Sequence, residues 1–122
     1  FEPNVLVAER ATKEAARKVV TAALAEGNTF DAIIAFSDEM AVGAYRAVLD
    51  SGRKVPDDVA LIGCDGIDDL EYMDPPISSV VQPTEQMCTM AWDFMKNRLE
   101  DPTIADQQAI LQANLVIRGS SL

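Results

Sequence analysis

The sequence predicts an α/β fold in which a mostly parallel sheet lies between layers of helices, a three-layer sandwich. Three observations lead to this fold class. Short apolar runs lack polar alternation, which is typical of parallel strands covered on both faces. Amphipathic helical stretches alternate with those runs, and the connections between them are short. At 122 residues the chain is expected to be one domain or a piece of one, and it is long enough to bury a core.

The predicted strands are short and apolar, and the clearest of them, 32–36, ends abruptly at Ser37-Asp38-Glu39. It carries no polar residue between Ala32 and Phe36, so both of its faces are expected to be covered. The other four strands have the same strand-sized length and are predicted at 5–8, 59–63, 78–82 and 113–117.

The predicted helices follow from apolar residues spaced three and four apart. Gly27-Asn28 ends the first helix, and Thr84 is the expected N-cap of the last. A short acidic helix stops before Asp74-Pro75-Pro76, because the ring of Pro76 keeps Pro75 out of the helical region. The four helices are predicted at about 11–26, 38–49, 68–73 and 84–99.

The composition argues against several functional classes. Ten basic and 20 acidic residues give a net charge of −10, so this chain by itself is expected to repel nucleic acid. Histidine is absent, which removes the commonest general base and zinc ligand, and no metal or other cofactor is expected. No apolar stretch approaches the ~20 residues of a membrane span. Cys64 and Cys88 are expected to be free, mostly buried thiols.

Polar residues follow three of the predicted strands, where ligands of open α/β sheets bind. They are Glu9-Arg10, Ser37-Asp38 and Asp65-Gly66. Each also has a plain structural interpretation: Arg10 as a solvated charge, Asp38 as a helix cap and Asp65-Gly66 as a turn. Paired carboxylates could perform acid–base chemistry, yet no nucleophile, metal set or phosphate-binding loop accompanies them. Non-catalytic ligand binding is therefore favoured over an enzyme.

Two stretches carry a specific resemblance. The string AFSDEMAVGAYRAVLDSGRKVPDDVALIGCDGIDDLEYMDPPISSVVQP and the later LVIRGS resemble the effector-binding domain of the lactose/galactose-repressor (LacI/GalR) family. The resemblance covers 30–83 and 115–120. It implies a periplasmic-binding-protein-like fold with a small molecule held between two lobes. In that fold 1–80 and about 113–122 would form the C-terminal lobe and its crossover, whereas about 84–108 would belong to the N-terminal lobe.

The resemblance also implies particular site residues. Asp65 matches the aspartate that contacts sugar hydroxyls or other polar effector groups, and Ser37 stands where the family usually has an effector-binding asparagine. Asp38 matches an aspartate interpreted as mainly a helix cap and pocket organiser. Arg10 aligns with a position where relatives often have an aromatic residue, and an arginine there would favour an anionic or highly hydroxylated ligand. Cys64 and Gly66 depart from the family pattern and make the pocket wall smaller.

The partners implied by the resemblance are a sugar or related effector, a second copy of the chain, and DNA. DNA would be read by a helix-turn-helix domain that is not in this sequence, in a cytoplasmic bacterial protein. The helix from Thr84 would lack its packing partners here, so a swapped dimer is plausible. The alternative function is a periplasmic sugar-binding protein of an ABC transporter. The expected dimer contacts are Val42, Tyr45, Arg46, Tyr72 and Met73.

Overall fold

A computed structural model describes residues 4–122 of the chain. These residues form two compact units. Unit 1 comprises the chain up to Val81 together with Leu115–Leu122, and unit 2 comprises Gln82–Asn114. The assignment of these two parts to different lobes of a longer protein stays a prediction.

A four-stranded sheet organises unit 1. Its strands are β1 Ala32–Ile34, β2 Ala60–Asp65, β3 Ser78–Val81 and β4 Asn114–Val116, and they lie in this order across the sheet. Strand β1 is parallel to β2, and β2 is parallel to β3, which confirms the mostly parallel sheet. Ile62 of β2 links the two ladders, because it is opposite Ile34 on one side and Ser78 on the other.

Two amphipathic helices pack together in unit 1. The side chain of Thr12 caps the N-terminus of the first by accepting the Ala15 N–H, and the buried Ala16, Val20 and Ala23 mark its inner face. Gly43 lets the second helix approach closely, since a Cβ there would lie 2.0 Å from the carbonyl oxygen of Lys13. The α-helices are α1 Lys13–Ala25, α2 Asp38–Asp50 and, in unit 2, α3 Thr84–Glu100.

The core of unit 1 is small and contains both apolar and polar side chains. Within it, β2, α2 and the short 3-10 helix Asp68–Tyr72 supply fully buried apolar residues. The largest of these are Leu61, Leu70, Ile77, Val48 and Val59. Four polar residues are equally buried, namely Asp38, Ser78, Ser79 and Ser120. Every buried side-chain nitrogen or oxygen in residues 4–122 has a hydrogen-bond partner, as close packing requires.

Two predictions about individual elements were wrong. Residues 5–8 do not join the sheet, because β1 is its outermost strand and no ladder reaches them. Thr84 is the first residue of α3 and not its N-cap, which is Pro83. The short acidic helix predicted at about 68–73 is confirmed, as the 3-10 helix Asp68–Tyr72.

The cover of the sheet is incomplete at β1. Both faces of this strand were expected to be buried, but Ile34 is 82% exposed and Phe36, just beyond it, is 85% exposed. In residues 4–122 only α1 and α2 accompany the strands of unit 1 as α-helices. One side of this edge strand therefore remains open to solvent.

Candidate ligand-binding edge of the sheet

The carboxyl ends of β1 and β2 bring two of the predicted polar segments together. Asp38 follows β1, and its Oδ2 accepts hydrogen bonds from the backbone N–H groups of Gly66, at 2.6 Å, and Ile67, at 2.8 Å. Gly66 directly follows Asp65, the last residue of β2. Ser37-Asp38 and Asp65-Gly66 therefore occupy one edge of the sheet, as the parallel topology predicts.

Ser37, and not Asp38, is the N-cap of α2. Its backbone is extended, with φ −143° and ψ 162°, and its Oγ accepts the N–H of Met40 at 3.3 Å. Asp38 is the first helical residue, and its side chain turns inward to partners outside the helix. The interpretation of Asp38 as a helix cap was therefore wrong.

Asp38 is fully buried although its side chain carries a carboxyl group. Besides the two backbone donors, the Ser79 hydroxyl donates to its Oδ1 at 2.7 Å. Gly63 makes room for it, since a Cβ at that glycine would lie 2.2 Å from Oδ1. The sequence reasoning missed both Gly63 and Ser79. The two adjacent serines of β3 were the available signal, because a buried hydroxyl requires a hydrogen-bond partner.

Asp65 lies at the exposed end of β2 with an unusual backbone. Its φ is +120°, a value that residues with a side chain rarely adopt. Gly66 follows with φ +88°, so the expected turn is present. A Cβ at Gly66 would lie 2.6 Å from a methyl carbon of Val81, so this position also needs glycine for space. The Asp65 side chain is exposed and therefore accessible to a ligand.

Arg10 is exposed in a bend before α1. In residues 4–122 no hydrogen bond or ion pair joins its guanidinium to Ser37, Asp38 or Asp65. The structure thus brings Ser37-Asp38 and Asp65-Gly66 together at one edge. In the described residues no hydrogen bond or ion pair joins Arg10 to this edge. The role of Arg10 stays a prediction.

Two of the five residues expected at a dimer interface are engaged within unit 1. Tyr45 is only 8% exposed, and its hydroxyl donates a hydrogen bond to the carbonyl oxygen of Asp74. Burial, together with the nearby charge of Asp74, raises the pKa of Tyr45 against the opposing effect of Arg46. Arg46 forms an ion pair with Asp50 at 2.5 Å on the surface of α2.

The other three expected interface residues differ in exposure. Val42 and Met73 are half-buried and pack against the core of unit 1. Tyr72 is 87% exposed and is the largest open apolar surface among the five. An interface at this place stays a prediction, with Tyr72 as its most accessible member.

Neither a metal centre nor a membrane span is found in the described chain. Within residues 4–122 no three His, Cys, Asp or Glu side chains are grouped as a metal ion would require. No helix there is both long and apolar enough to cross a bilayer. Cys64 is half-buried and Cys88 is exposed, so burial of both thiols was a wrong expectation; neither forms a disulfide in this part of the chain.

A family model for the periplasmic binding protein-like domain matches residues 2–121. The chain belongs to this family. Among curated relatives, the ribose operon repressor of Escherichia coli K12 is 36% identical over 90 residues, which cover 74% of this chain and 27% of the relative. The transcriptional repressor PurR of Vibrio campbellii is 30% identical over 98% of this chain and 37% of its own length. This chain thus spans only 27% and 37% of the length of these two relatives.

Solved structures agree with this assignment. A LacI family regulator from Arthrobacter sp. FB24 in complex with lactose superposes with a TM-score of 0.86 at 36% identity, over 95% of this chain and 43% of that one. One from Enterococcus faecium with bound ribose gives 0.85 at 26% identity, over 95% and 42%. A complex of the regulator CelR with cellobiose gives 0.84 at 33% identity, over 90% and 34%. The resemblance to a fragment of a LacI/GalR effector-binding domain is confirmed.

Proposed function

We propose that the chain is the effector-binding part of a bacterial, sugar-responsive transcription regulator. The observation that carries the proposal is the edge shared by Ser37 and Asp65, in a chain whose structural relatives include complexes with lactose, ribose and cellobiose. Such a regulator acts on DNA through a separate domain, which accords with the net charge of −10 of this chain. It would work in the cytoplasm.

The chemistry of the edge suits hydroxylated ligands. An exposed carboxylate at Asp65 offers several acceptor sites in fixed geometry, which match vicinal hydroxyl groups. Ser37 uses one lone pair of Oγ for the N–H of Met40, and its hydroxyl proton remains available as a donor. Acceptor and donor on neighbouring loops can therefore orient one sugar ring. This task requires no catalytic base or nucleophile, so we propose a binding function without catalysis.

The alternative, a periplasmic sugar-binding protein of a transporter, shares the fold but has less support. The relatives described above are repressors and transcription regulators. In the proposed regulator, the second copy would be contacted through α2 and the segment at Tyr72-Met73. Tyr72 would be central, because its exposed ring has no partner in the core.

Calorimetric titration of the complete regulator tests the function. Lactose, ribose, cellobiose and the corresponding sugar phosphates are titrated into the parent and into Asp65→Ala. We expect at least one of these ligands to bind, and Asp65→Ala to weaken that binding by about 10-fold or more, since it loses a charge-assisted hydrogen bond. The matched control is Asp57→Ala, which removes an exposed aspartate at the opposite end of β2. Equal weakening by both variants would contradict the assigned edge.

The same titration tests Arg10. If its guanidinium faces the ligand, the parent should prefer a sugar phosphate to the neutral sugar, and Arg10→Ala should remove that preference. A strong preference for neutral sugars that Arg10→Ala leaves unchanged would exclude this role.

A further inference from the structure

We infer that Asp38 is a positioning residue that holds the backbone of Asp65 in its unusual conformation and thereby aims Asp65 outward at the edge of the sheet. The consequence for ligand binding rests on the proposed function. The geometric part of the inference stands on contacts within unit 1 alone.

Asp38 cannot itself be a ligand contact in this arrangement. It is fully buried, and both of its carboxyl oxygens accept hydrogen bonds from the protein. Two of the donors are backbone N–H groups, and the third is the hydroxyl of Ser79. A buried carboxylate with this many partners fixes the groups that donate to it. It acts on a ligand only through those groups.

The donors to Asp38 are the two residues that directly follow Asp65. Gly66 and Ile67 both donate to Oδ2, which pins the chain immediately after the residue with φ +120°. Such a backbone conformation persists only where the surroundings enforce it. On the other side, Gly66 is packed so closely against Val81 that no side chain would fit. The loop is held between the carboxylate of Asp38 and the end of β3.

The surroundings of Asp38 are shaped to admit its carboxylate. Gly63 lies beneath Oδ1 and is opposite Ser79 in the β2–β3 ladder. A side chain at Gly63 would occupy the position of the carboxyl oxygen, so glycine there and aspartate in α2 fit one another. The carboxylate therefore joins three elements: the first turn of α2, the loop after β2, and β3. Only the loop carries the exposed candidate ligand group.

Nuclear magnetic resonance of the chain tests the geometric claim without a ligand. The three-bond coupling between the amide and α protons of Asp65 depends on φ, and the amide shifts of Gly66 and Ile67 report their hydrogen bonds. In Asp38→Ala we expect the coupling to change and both amide shifts to move. The control Ser79→Ala removes the third hydrogen bond and leaves the two backbone donors paired, so its coupling should equal that of the parent. An unchanged coupling in Asp38→Ala would overturn the inference.

A thermal double-mutant cycle provides a second readout. Asp65→Gly relieves the backbone strain at residue 65, and this strain is present only where Asp38 maintains it. The change in Tm that Asp65→Gly causes should therefore be more favourable in the parent than in Asp38→Ala, by about 4 °C or more. If Asp38→Ala does not fold, Asp38→Asn replaces it in both experiments, with a smaller difference of the same sign, because a neutral amide oxygen is a weaker acceptor. Equal shifts in the two backgrounds would overturn the inference. Failure of sugar binding would instead contradict the proposed function, since neither experiment uses a sugar.

Discussion

The two units of the chain carry similar apolar patterns but bury them differently. In unit 1, α2 and β2 enclose fully buried side chains such as Val48 and Leu61. In unit 2, the 17-residue helix α3 buries none of its residues within the described chain, and Leu99 is 75% exposed. Amphipathic spacing therefore predicts which face of a helix can be buried, whereas burial itself requires a partner surface.

The apolar face of α3 borders a groove of about 370 Å³ within unit 2. The helix supplies most of the apolar lining, and the segment 109–113 adds a few small or aliphatic residues. The main lining residues are Met87, Met90, Phe94 and Leu111. The exchange of this helix with a second copy stays a prediction.

The largest expected difference between the units concerns truncation of apolar side chains. Leu61→Ala should lower the free energy of unfolding of unit 1 by about 2–5 kcal/mol, because it leaves a cavity beside β2. Phe94→Ala removes a larger side chain, but it should lower the free energy of unfolding of unit 2 by less than about 1 kcal/mol, because α3 buries none of its residues within the described chain. Urea denaturation at two protein concentrations measures both. A comparable, concentration-dependent loss in Phe94→Ala would show that α3 is packed against a second copy.

A buried hydroxyl network provides the next largest effect. Ser120 Oγ donates to the carbonyl oxygen of Leu61 at 2.6 Å and accepts the N–H of Ser78 at 2.8 Å. Ser120→Ala should lower the free energy of unfolding by about 1–3 kcal/mol, because both groups remain buried without this partner. The control is Ser121→Ala, which loses only a hydroxyl contact to Ser78. A greater loss in the control would contradict the importance of Ser120.

The N-terminal residues of α2 and α3 should differ by a smaller amount in their contribution to stability. Ser37→Ala removes the N-cap of α2 and should cost about 1 kcal/mol of stability. Thr84→Ala should be nearly neutral, because Thr84 accepts no N–H at the start of α3. Denaturation of the two variants under the same conditions provides the comparison. An equal cost would mean that Thr84 caps its helix after all.

The smallest effect is expected in acid. Hydrogen bonds from Arg46, and then from Arg17, hold the pKa of Asp50 below its ordinary value of 3.8. A lowered carboxyl pKa contributes stability above the ordinary pKa, and this contribution is lost as the pH falls below it. The parent should therefore lose slightly more stability than Asp50→Asn between about pH 5 and pH 2. Parallel pH profiles of the two proteins would contradict a role for this link between α1 and α2.

The sequence predicted the parts of the fold that depend on local pattern. The apolar run before Ser37 and the periodicity after it were sufficient for β1 and α2, and the topology of parallel strands brought Asp65 to the same edge. The choice of cap could not be predicted, since serine and aspartate cap helices equally well. The buried partners of Asp38 decided it, and two of them lie 28 and 29 residues away along the chain.

Other features depended on contacts that pattern does not encode. The run at 5–8 has the composition of a strand, yet a strand forms only where a neighbour is available for its ladder. The roles of Gly63 and Ser79 arise because one adjoins the Asp38 carboxylate and the other donates to it. Such pairings become visible only when distant segments are placed together.

The most direct test of the central claim is a titration of the isotope-labelled chain with ribose and lactose, followed by amide chemical shifts. The account predicts weak binding, in the millimolar range, with the largest shifts at 37–39 and 65–67, because we propose that the ligand is held between two lobes, of which this edge belongs to one. Shifts confined to the α3 groove, or no shift at either loop at any sugar concentration, would contradict the assignment of the ligand-binding edge. Micromolar affinity would contradict the proposal that a second lobe supplies further ligand contacts.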